Sequence, residues 1–163
     1  MLKHSFIYNI IEEYVEVDNE TKSKLKKIKL NKDKNIPSMN LTSYWDMKEE
    51  DKLINLLNFK FKSILKKYKL KIEESWVQKY LNNSYHHLHT HYVHKKSFVW
   101  FIEGNKKSSP LCFYDVGYPL VDTQQSLEFP FIPGTLLIFP GFIPHEVKPN
   151  SNNKRLIVSG NVF

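Results

Sequence analysis

The sequence predicts a mainly β fold, a β-sandwich of the jelly-roll type, with an N-terminal strand and at least one packed α-helix. Two observations lead to this fold class. After residue 72, short apolar runs alternate with clusters of Gly, Pro, Asn and Ser, a pattern typical of successive strands in all-β proteins. Before residue 72, one stretch carries apolar side chains at helical spacing. A strand and a helix are therefore expected to support a β core.

The N-terminal half contains the helix and the first strand. Residues 6–17 are rich in aromatic and β-branched side chains, which predicts one or two strands. The lysine-rich stretch 22–34 and residues 31–40, with Pro37, predict an exposed strand edge or loop. Asp46 followed by Glu49 is typical of a capping box. From there the helical spacing predicts one helix as far as about residue 71.

The C-terminal half supplies the remaining strands. Apolar runs bounded by turn residues occupy residues 75–81, 97–103, 111–116, 127–132, 135–139, 145–147 and 156–163. The sequence has no internal repeat and no long linker. We therefore expect a single domain over residues 1–163, in which residues 1–72 support a jelly-roll core formed by residues 73–163.

Composition narrows the class of protein. The chain has 163 residues, 41% hydrophobic and 25% charged, so it can form a core and is not intrinsically disordered. No window approaches the ~20 apolar residues of a membrane span, and the N-terminus lacks a signal-peptide layout. The lone Cys112 cannot form an internal disulfide, which suits a reducing compartment. We expect a cytoplasmic protein with no membrane partner.

The net charge of +7 raises the question of a nucleic-acid partner. Much of this charge comes from lysines in residues 22–34 and 60–71. Arginine, whose planar guanidinium suits phosphates and bases, occurs once, as Arg155. Solvated lysine faces are the preferred interpretation, and a weakly bound anionic partner stays open.

Histidines form the strongest candidate site. Five of the seven histidines fall between residues 86 and 94. Because alternate side chains of an extended segment point to one face, His89 and His91 can reach the same metal ion. Neutral imidazole is a common ligand for iron, zinc, copper and nickel. His145 is the one histidine after residue 94 and is the natural third ligand.

The cluster also has simpler interpretations. A solvated loop or the skewed composition of the chain would equally produce neighbouring histidines. We interpret His86 and His94 as supporting or surface residues and His4 as a bystander. One cysteine cannot supply the thiolates of a zinc finger. Nucleophilic catalysis by Cys112 is disfavoured because buried thiols in apolar strands are usually inert.

Arg155 lies ten residues after His145, near the start of the last apolar run. A guanidinium one strand away from a metal site is suited to bind a carboxylate through two hydrogen bonds. The alternative is a surface ion pair, which contributes ~0–1 kcal/mol. The scarcity of arginine in this chain makes that alternative less attractive.

Together these residues resemble a known family. LHTH at 88–91 and the following SFVWF resemble the H-x-H segment and strand of phage-type 2-oxoglutarate/Fe(II)-dependent oxygenases. ESWV at 74–77 resembles their tryptophan-containing strand. The C-terminal pattern, PGTLLIFP followed by His145, Arg155 and Asn161, is more similar still. The resemblance covers residues 74–163.

The resemblance implies a double-stranded β-helix that binds Fe(II) and the co-substrate 2-oxoglutarate. His89, His91 and His145 would be the metal ligands and the catalytic residues. Arg155 would pair with the far carboxylate of 2-oxoglutarate. The protein would be a dioxygenase, a hydroxylase that uses O2 to couple oxidative decarboxylation of 2-oxoglutarate to oxidation of a C–H bond. A phage-encoded protein would work in the host cytoplasm.

The chain departs from the family pattern at three places. His91 stands where the usual facial triad has a carboxylate, Ile157 replaces a serine, and Ser97-Phe98 replaces a pair of small residues. Two alternatives therefore stay open. One is a cupin-like three-histidine metal enzyme that does not use 2-oxoglutarate, and the other is a non-catalytic jelly-roll binding module.

The prime substrate is not specified by the sequence. A small molecule, a protein and a nucleic acid all stay open, and the basic charge mildly favours an acidic or nucleic-acid partner. Four aromatic residues are candidate pocket residues, although core packing explains them equally well: Trp76, Tyr85, Trp100 and Tyr114.

Overall fold

Two antiparallel β-sheets face each other in the computed structural model of the protein, which describes residues 8–32, 41–44, 46–116, 121–150 and 155–163. The strands are β1 (Ile11–Tyr14), β2 (Asn31–Lys32), β3 (Leu41–Thr42), β4 (Ile72–Tyr80), β5 (His86–His89), β6 (Lys96–Glu103), β7 (Leu111–Val116), β8 (Val121–Phe129), β9 (Thr135–Pro140), β10 (His145–Val147) and β11 (Arg155–Val162). The helices are α1 (Asn19–Lys26), α2 (Met47–Lys60) and α3 (Lys62–Tyr68).

The strand order is that of a jelly roll. The larger sheet runs β1-β9-β6-β11-β4-β3-β2 and the smaller sheet runs β5-β10-β7-β8. Neighbouring strands within each sheet are antiparallel. Apart from the consecutive pair β7 and β8, which both lie in the smaller sheet, strands of the C-terminal half alternate between the two sheets, which closes the sandwich. The predicted mainly β fold class is confirmed.

The larger sheet buries both of its faces. Its outer face packs against the helices, where Leu57 and Phe61 contact a core that includes Trp100 and Val158. Its inner face packs against the smaller sheet through a second cluster that includes Ile157. Because side chains alternate along a strand, successive residues of β11 point in turn toward the helical layer and toward the interior of the sandwich.

Most predicted strands agree with the observed ones. The runs at 97–103, 111–116, 135–139, 145–147 and 156–163 correspond to β6, β7, β9, β10 and β11 within one residue at either end. The run at 127–132 is displaced, because β8 begins at Val121 and ends at Phe129. The predicted strand at 6–17 is observed as the shorter β1, and residues 6 and 7 lie outside the described part.

The prediction for the first part of the stretch 22–34 is wrong, because residues 22–26 belong to helix α1. Asp18 caps this helix by accepting a hydrogen bond from the backbone N–H of Thr21 at 2.7 Å. Leu25 is buried and anchors the helix to the sheet. One buried apolar residue is too few to produce a helical period in the sequence. The signal that could have predicted this helix is the capping residue Asp18. The expected loop around Pro37 lies outside the described residues.

The predicted long helix is divided in two. Helix α2 ends at Lys60 and α3 begins at Lys62, with Phe61 between them at φ −97° and ψ 8°. The Phe61 ring packs edge-on against Trp100, with 5.1 Å between ring centroids. Tertiary packing of the Phe61 ring explains the break in the helix, which the local spacing of apolar residues does not reveal.

Among the described residues, no helix is long and apolar enough to cross a membrane.

Candidate metal centre

Three imidazoles converge between the two sheets. β5 and β10 are neighbours in the smaller sheet, and their pairing places His89 opposite His145. The ring centroids of these two residues are 4.2 Å apart, and that of His91 lies 5.1 Å from His89 and 5.2 Å from His145. One ring nitrogen from each histidine lies within 4.8 Å of the others. Within the described part of the chain, no carboxylate joins this group.

His91 reaches the cluster from outside the strand. β5 ends at His89. Contrary to the prediction, His89 and His91 therefore do not lie on one extended segment. The backbone N–H of His91 donates to the carbonyl of Gly141 at 2.6 Å. A Cβ atom at Gly141 would lie 2.7 Å from the carbonyl oxygen of Tyr92 and 3.2 Å from Cβ of His91. A glycine in the turn between β9 and β10 is therefore needed for this close approach.

Two of the rings are oriented by backbone carbonyls. Nδ1 of His145 bonds to the carbonyl of Ile143, and Nδ1 of His89 to that of His87, both at 2.8 Å. A carbonyl oxygen only accepts, so Nδ1 carries the proton in each ring. The lone pair is then on Nε2, which is the arrangement found in metal-binding histidines.

Burial keeps these imidazoles neutral. It lowers the pKa of His91 to about 4, with a further contribution from neighbouring His89. It also holds the pKa of His145 well below the ordinary value and lowers that of His89. A neutral ring is the form that binds a metal ion, so the site is ready for one at pH 7.

Among the other histidines, His86 supports the cluster, which agrees with the expectation that it is a supporting or surface residue. His86 stacks face to face on His89, with 3.8 Å between centroids and 8° between ring planes. Burial lowers its pKa as well. His87 and His94 are exposed, and His4 lies outside the described residues.

Arg155 is 1% exposed and is not part of a surface ion pair. Its Nε–H donates to the carbonyl of Ser109 at 3.1 Å. Among the described residues, its Nη1 and Nη2 have no hydrogen-bond partner. The guanidinium carbon lies over the ring of Tyr80 at 4.4 Å, with the rings of Phe131 and Phe101 at 5.3 and 5.8 Å. Burial lowers the pKa of this group and Tyr80 opposes that effect.

Arg155 does not line the cavity that the three histidines share, but a separate cavity with Lys79 and Glu103. Tyr80 connects the two sites. It lies opposite Arg155 in the register of β4 and β11, and it also lines the cavity that the three histidines share. The volume of that cavity is about 30 Å³, close to the space that one water occupies. A ligand larger than water therefore needs the lining side chains to move.

Of the candidate pocket aromatics, Trp76 lines the histidine cavity. Trp100 belongs to the helix-side core, where its indole N–H donates to the carbonyl of Val15. The hydroxyl of Tyr114 donates to Glu146, and Tyr114 lines a different cavity from the one that the histidines share.

Cys112 is fully buried, and burial raises the pKa of its thiol to about 11. This thiol is therefore poorly suited to act as a nucleophile.

Sequence reasoning missed three residues of the cavity wall that carry polar groups: Gln78, Tyr80 and Ser159. They share the inner face of β4 and β11 with Trp76 and Arg155, because the partners in register are Tyr80 with Arg155, Gln78 with Ile157 and Trp76 with Ser159. The period-two alternation along each strand was the signal that could have found them.

No protein-family model and no curated protein matches the sequence. Solved structures do match the fold. HygX from Streptomyces hygroscopicus, with nickel, 2-oxoglutarate and hygromycin B bound, has a TM-score of 0.71 at 10% identity, over 95% of this chain and 82% of that one. A Pseudomonas putida prolyl-4-hydroxylase has a TM-score of 0.64 at 16% identity, over 95% and 92%.

An oxidoreductase of the 2OG-Fe(II) oxygenase family from Burkholderia pseudomallei has a TM-score of 0.56 at 16% identity. The match covers 69% of this chain and 55% of that one, so this chain spans little more than half of that relative. Identities this low show the fold alone. The chain has the jelly-roll, double-stranded β-helix fold of 2-oxoglutarate oxygenases.

Proposed function

We propose that the protein is a 2-oxoglutarate- and Fe(II)-dependent oxygenase, a hydroxylase of the phage-type group that oxidises a C–H bond with O2. The observation that carries this proposal is the buried Arg155, whose Nη1 and Nη2 lack a partner among the described residues. An unpaired buried guanidinium is costly, and a carboxylate would satisfy both donors at once.

The residues present fit both groups by their chemistry. His89, His91 and His145 would hold Fe(II) through ring nitrogens, which iron accepts. Arg155 would hold the far carboxylate of 2-oxoglutarate. The rings of Tyr80, Phe101 and Phe131 surround the guanidinium and would exclude water from that ion pair, which strengthens it.

When bound, iron and 2-oxoglutarate supply the oxidising chemistry, with succinate and CO2 as by-products. The contribution of the chain is positional. The carbonyls of His87 and Ile143 hold two ligand rings with Nε2 free to bind. A three-histidine set carries one negative charge less than the usual triad, so we expect weaker Fe(II) binding than a carboxylate-containing site gives.

The two alternatives differ from this proposal in specific ways. A binding module with a degenerate site would let His89 and His91 point away from His145, whereas the three rings converge. A cupin-like three-histidine enzyme would share the metal site but would leave Arg155 without a task. The open donors of Arg155 therefore favour 2-oxoglutarate use.

The test is an anaerobic titration of the protein with Fe(II) and then 2-oxoglutarate. We expect a weak visible charge-transfer band, and succinate after O2 is admitted. The His145→Gln variant should lose metal binding, whereas the matched control His87→Gln, which changes an exposed histidine of the same cluster, should keep it. Metal binding without the band or succinate would contradict 2-oxoglutarate use and favour the cupin-like alternative.

A further inference from the structure

A second cavity lies between helix α1 and the outer face of the larger sheet, and we call it the outer cavity. Its volume is about 570 Å³, which lies within the range of small-molecule sites. The histidine cavity, at about 30 Å³, is much smaller. The outer cavity is therefore large enough to hold an organic ligand without movement of its walls.

One row of side chains from four strands forms the sheet side of the outer cavity. Lys79 of β4 lies opposite Leu41 of β3 and Leu156 of β11, and Leu156 in turn lies opposite Glu103 of β6. Residues that lie opposite each other on antiparallel strands project to the same face. Leu156 belongs to the helix-side core, which places this row on the outer face of the sheet.

The interior of the outer cavity is aliphatic. Leu25 of α1, and Ile28 and Leu30, which follow this helix before β2, line the side opposite the sheet. Together with Leu41 and Leu156 they provide five aliphatic side chains around one space. An alkyl chain that enters this space leaves water for an apolar environment, which the hydrophobic effect favours.

The outer cavity has a buried end and an exposed end. Leu25 is 1% exposed and Leu156 is 5% exposed, whereas Lys26 and Lys79 are exposed side chains. An apolar interior with a few polar groups at its opening is typical of ligand sites in proteins. This arrangement suits an amphipathic ligand, whose chain is buried while its head group stays near solvent.

The charges around the outer cavity favour an anionic head group. Nζ of Lys26 pairs with a carboxylate oxygen of Glu103 at 2.8 Å, so these two charges compensate each other. Lys79 makes no ion pair within the described part of the chain. Arg155 also lines this cavity, and its Nη1 and Nη2 have no partner among the described residues. The lining therefore carries an excess of positive charge.

We infer that the outer cavity binds a free aliphatic carboxylate of medium chain length. Lys79 would hold the carboxylate through a charge-assisted hydrogen bond, and the alkyl chain would lie among Leu25, Ile28, Leu30, Leu41 and Leu156. The cavity lies on the outer face of the larger sheet, whereas the histidines lie on its inner side. The inference therefore goes beyond the proposed function and does not depend on it.

The test is titration calorimetry of the full chain, without added metal or 2-oxoglutarate, with octanoate, hexanoate and octan-1-ol as probes. Octanoate should bind at least about tenfold more tightly than hexanoate, because two more methylene groups are buried. It should bind about tenfold more tightly than octan-1-ol, because its charge pairs with Lys79. Equal affinity of octanoate and either other probe, or no binding of octanoate, would overturn the inference.

Two variants test the two ends of the outer cavity. Lys79→Gln should weaken octanoate binding about tenfold and leave octan-1-ol binding unchanged, whereas its control Lys62→Gln, at an exposed lysine of α3, should change neither. Leu30→Asn should weaken the binding of both probes about tenfold, whereas its control Leu127→Asn, at an exposed leucine of β8, should change neither. Equal losses in a variant and its control would contradict a local site. Circular dichroism verifies that each variant is folded.

This inference and the proposed function fail separately. The His145→Gln variant, which should lose metal binding, should bind octanoate as tightly as the unaltered protein does. Binding of 2-oxoglutarate without binding of octanoate contradicts only the outer site, and the reverse result contradicts only the proposed function. Vesicles of phosphatidylcholine and phosphatidylglycerol distinguish a membrane lipid from a free carboxylate. Binding to these vesicles with no affinity for octanoate would overturn the inference.

Discussion

At the scale of single residues, the burial of Arg155 costs free energy, because it takes a charge out of water. Arg155 is fully buried, makes one hydrogen bond through Nε, and keeps two further nitrogens open among the described residues. Three aromatic rings around it provide packing and cation–π attraction. These contacts offset only part of the desolvation cost of a charge, and the proposed pairing with a carboxylate would offset more of it.

The first prediction concerns this residue. Arg155→Met should raise the free energy of unfolding of the ligand-free protein by about 1–4 kcal/mol, because it removes an unpaired buried charge. The same variant should lose detectable 2-oxoglutarate binding and keep Ni(II) binding. Urea unfolding and calorimetry measure these changes. Lys62→Met, at an exposed lysine of α3, is the control and should change neither quantity, whereas a destabilised Arg155→Met would contradict this interpretation.

The histidine site should make the metal-free protein sensitive to acid. In the unfolded chain His91 takes up a proton near its ordinary pKa of 6.5, but in the folded protein only near a pKa of about 4. The unfolded state binds more protons in that interval, so stability falls as the pH drops from 6.5 toward 4. Urea unfolding at several pH values should show this loss, and His91→Asn should reduce it. The exposed-site variant His87→Gln should retain the full dependence, and a flat profile for the unaltered protein would refute the prediction.

At the scale of elements, the metal site depends on one turn and one strand pair. The pairing of β5 with β10 sets the distance between His89 and His145. The turn at Gly141 positions His91, the third candidate ligand. The carbonyl of Gly141 accepts from the N–H of His91, and the N–H of Gly141 donates to the carbonyl of Lys95. Backbone geometry therefore fixes the site before any metal is present, which favours rapid binding.

A side chain at that turn should disturb the metal site. Gly141→Ala places a Cβ 2.7 Å from the Tyr92 carbonyl oxygen, so the His91 segment has to shift. We expect Ni(II) affinity to fall about tenfold, as for changes that displace a ligand through its supports. In Gly104→Ala the new Cβ meets mainly the ring of Phe131, away from the histidines, and Ni(II) affinity should be unaffected. Equal affinity of the Gly141→Ala protein and the unaltered protein would show that the turn is not a support.

The sequence predicted elements where the local signal was strong. The β9 and β11 strands are apolar and bounded by turns, so their bounds were predictable. Helix α1 was missed because Leu25 is the only apolar residue among its buried side chains. The break at Phe61 and the reach of His91 outside β5 depend on contacts with distant strands, which no local pattern contains.

The candidate site was predictable only where residue type and spacing gave a local signal. Residue type and spacing pointed to His89, His91, His145 and Arg155, and the structure brings the three histidines together. The role of each residue stays a proposal. Gln78, Tyr80 and Ser159 gave no signal by themselves, because their place in the cavity wall arises from cross-strand register. The single-domain organisation over residues 1–163 likewise stays a prediction.

At the scale of the whole molecule, part of the positive charge lies away from the histidines. Lysines in the last turns of α1 and α3 belong to the helical layer, which covers the outer face of the larger sheet, whereas the histidine cavity lies on its inner side.

Ligands should stabilise the molecule as a unit. Because both proposed ligands bind only the folded chain, Ni(II) with 2-oxoglutarate should raise Tm, with a gain of about 2.7 kcal/mol for each ligand at a hundredfold excess over its Kd. EDTA should reverse the shift. Arg155→Met should respond to Ni(II) but not to 2-oxoglutarate, and His145→Gln to neither. Differential scanning calorimetry tests this, and a Tm indifferent to both ligands would contradict the proposed site.

The cross-strand pairing of His89 with His145 also determines when the centre can exist. During synthesis the first two imidazoles emerge well before the third, with β6 to β9 made in between. Under the proposed function, three rings could not retain iron until β10 has docked beside β5, when most of the sandwich is in place. A nascent or partly unfolded chain would then be unable to hold a redox-active ion at this point, and oxidising power would be confined to molecules that have finished folding.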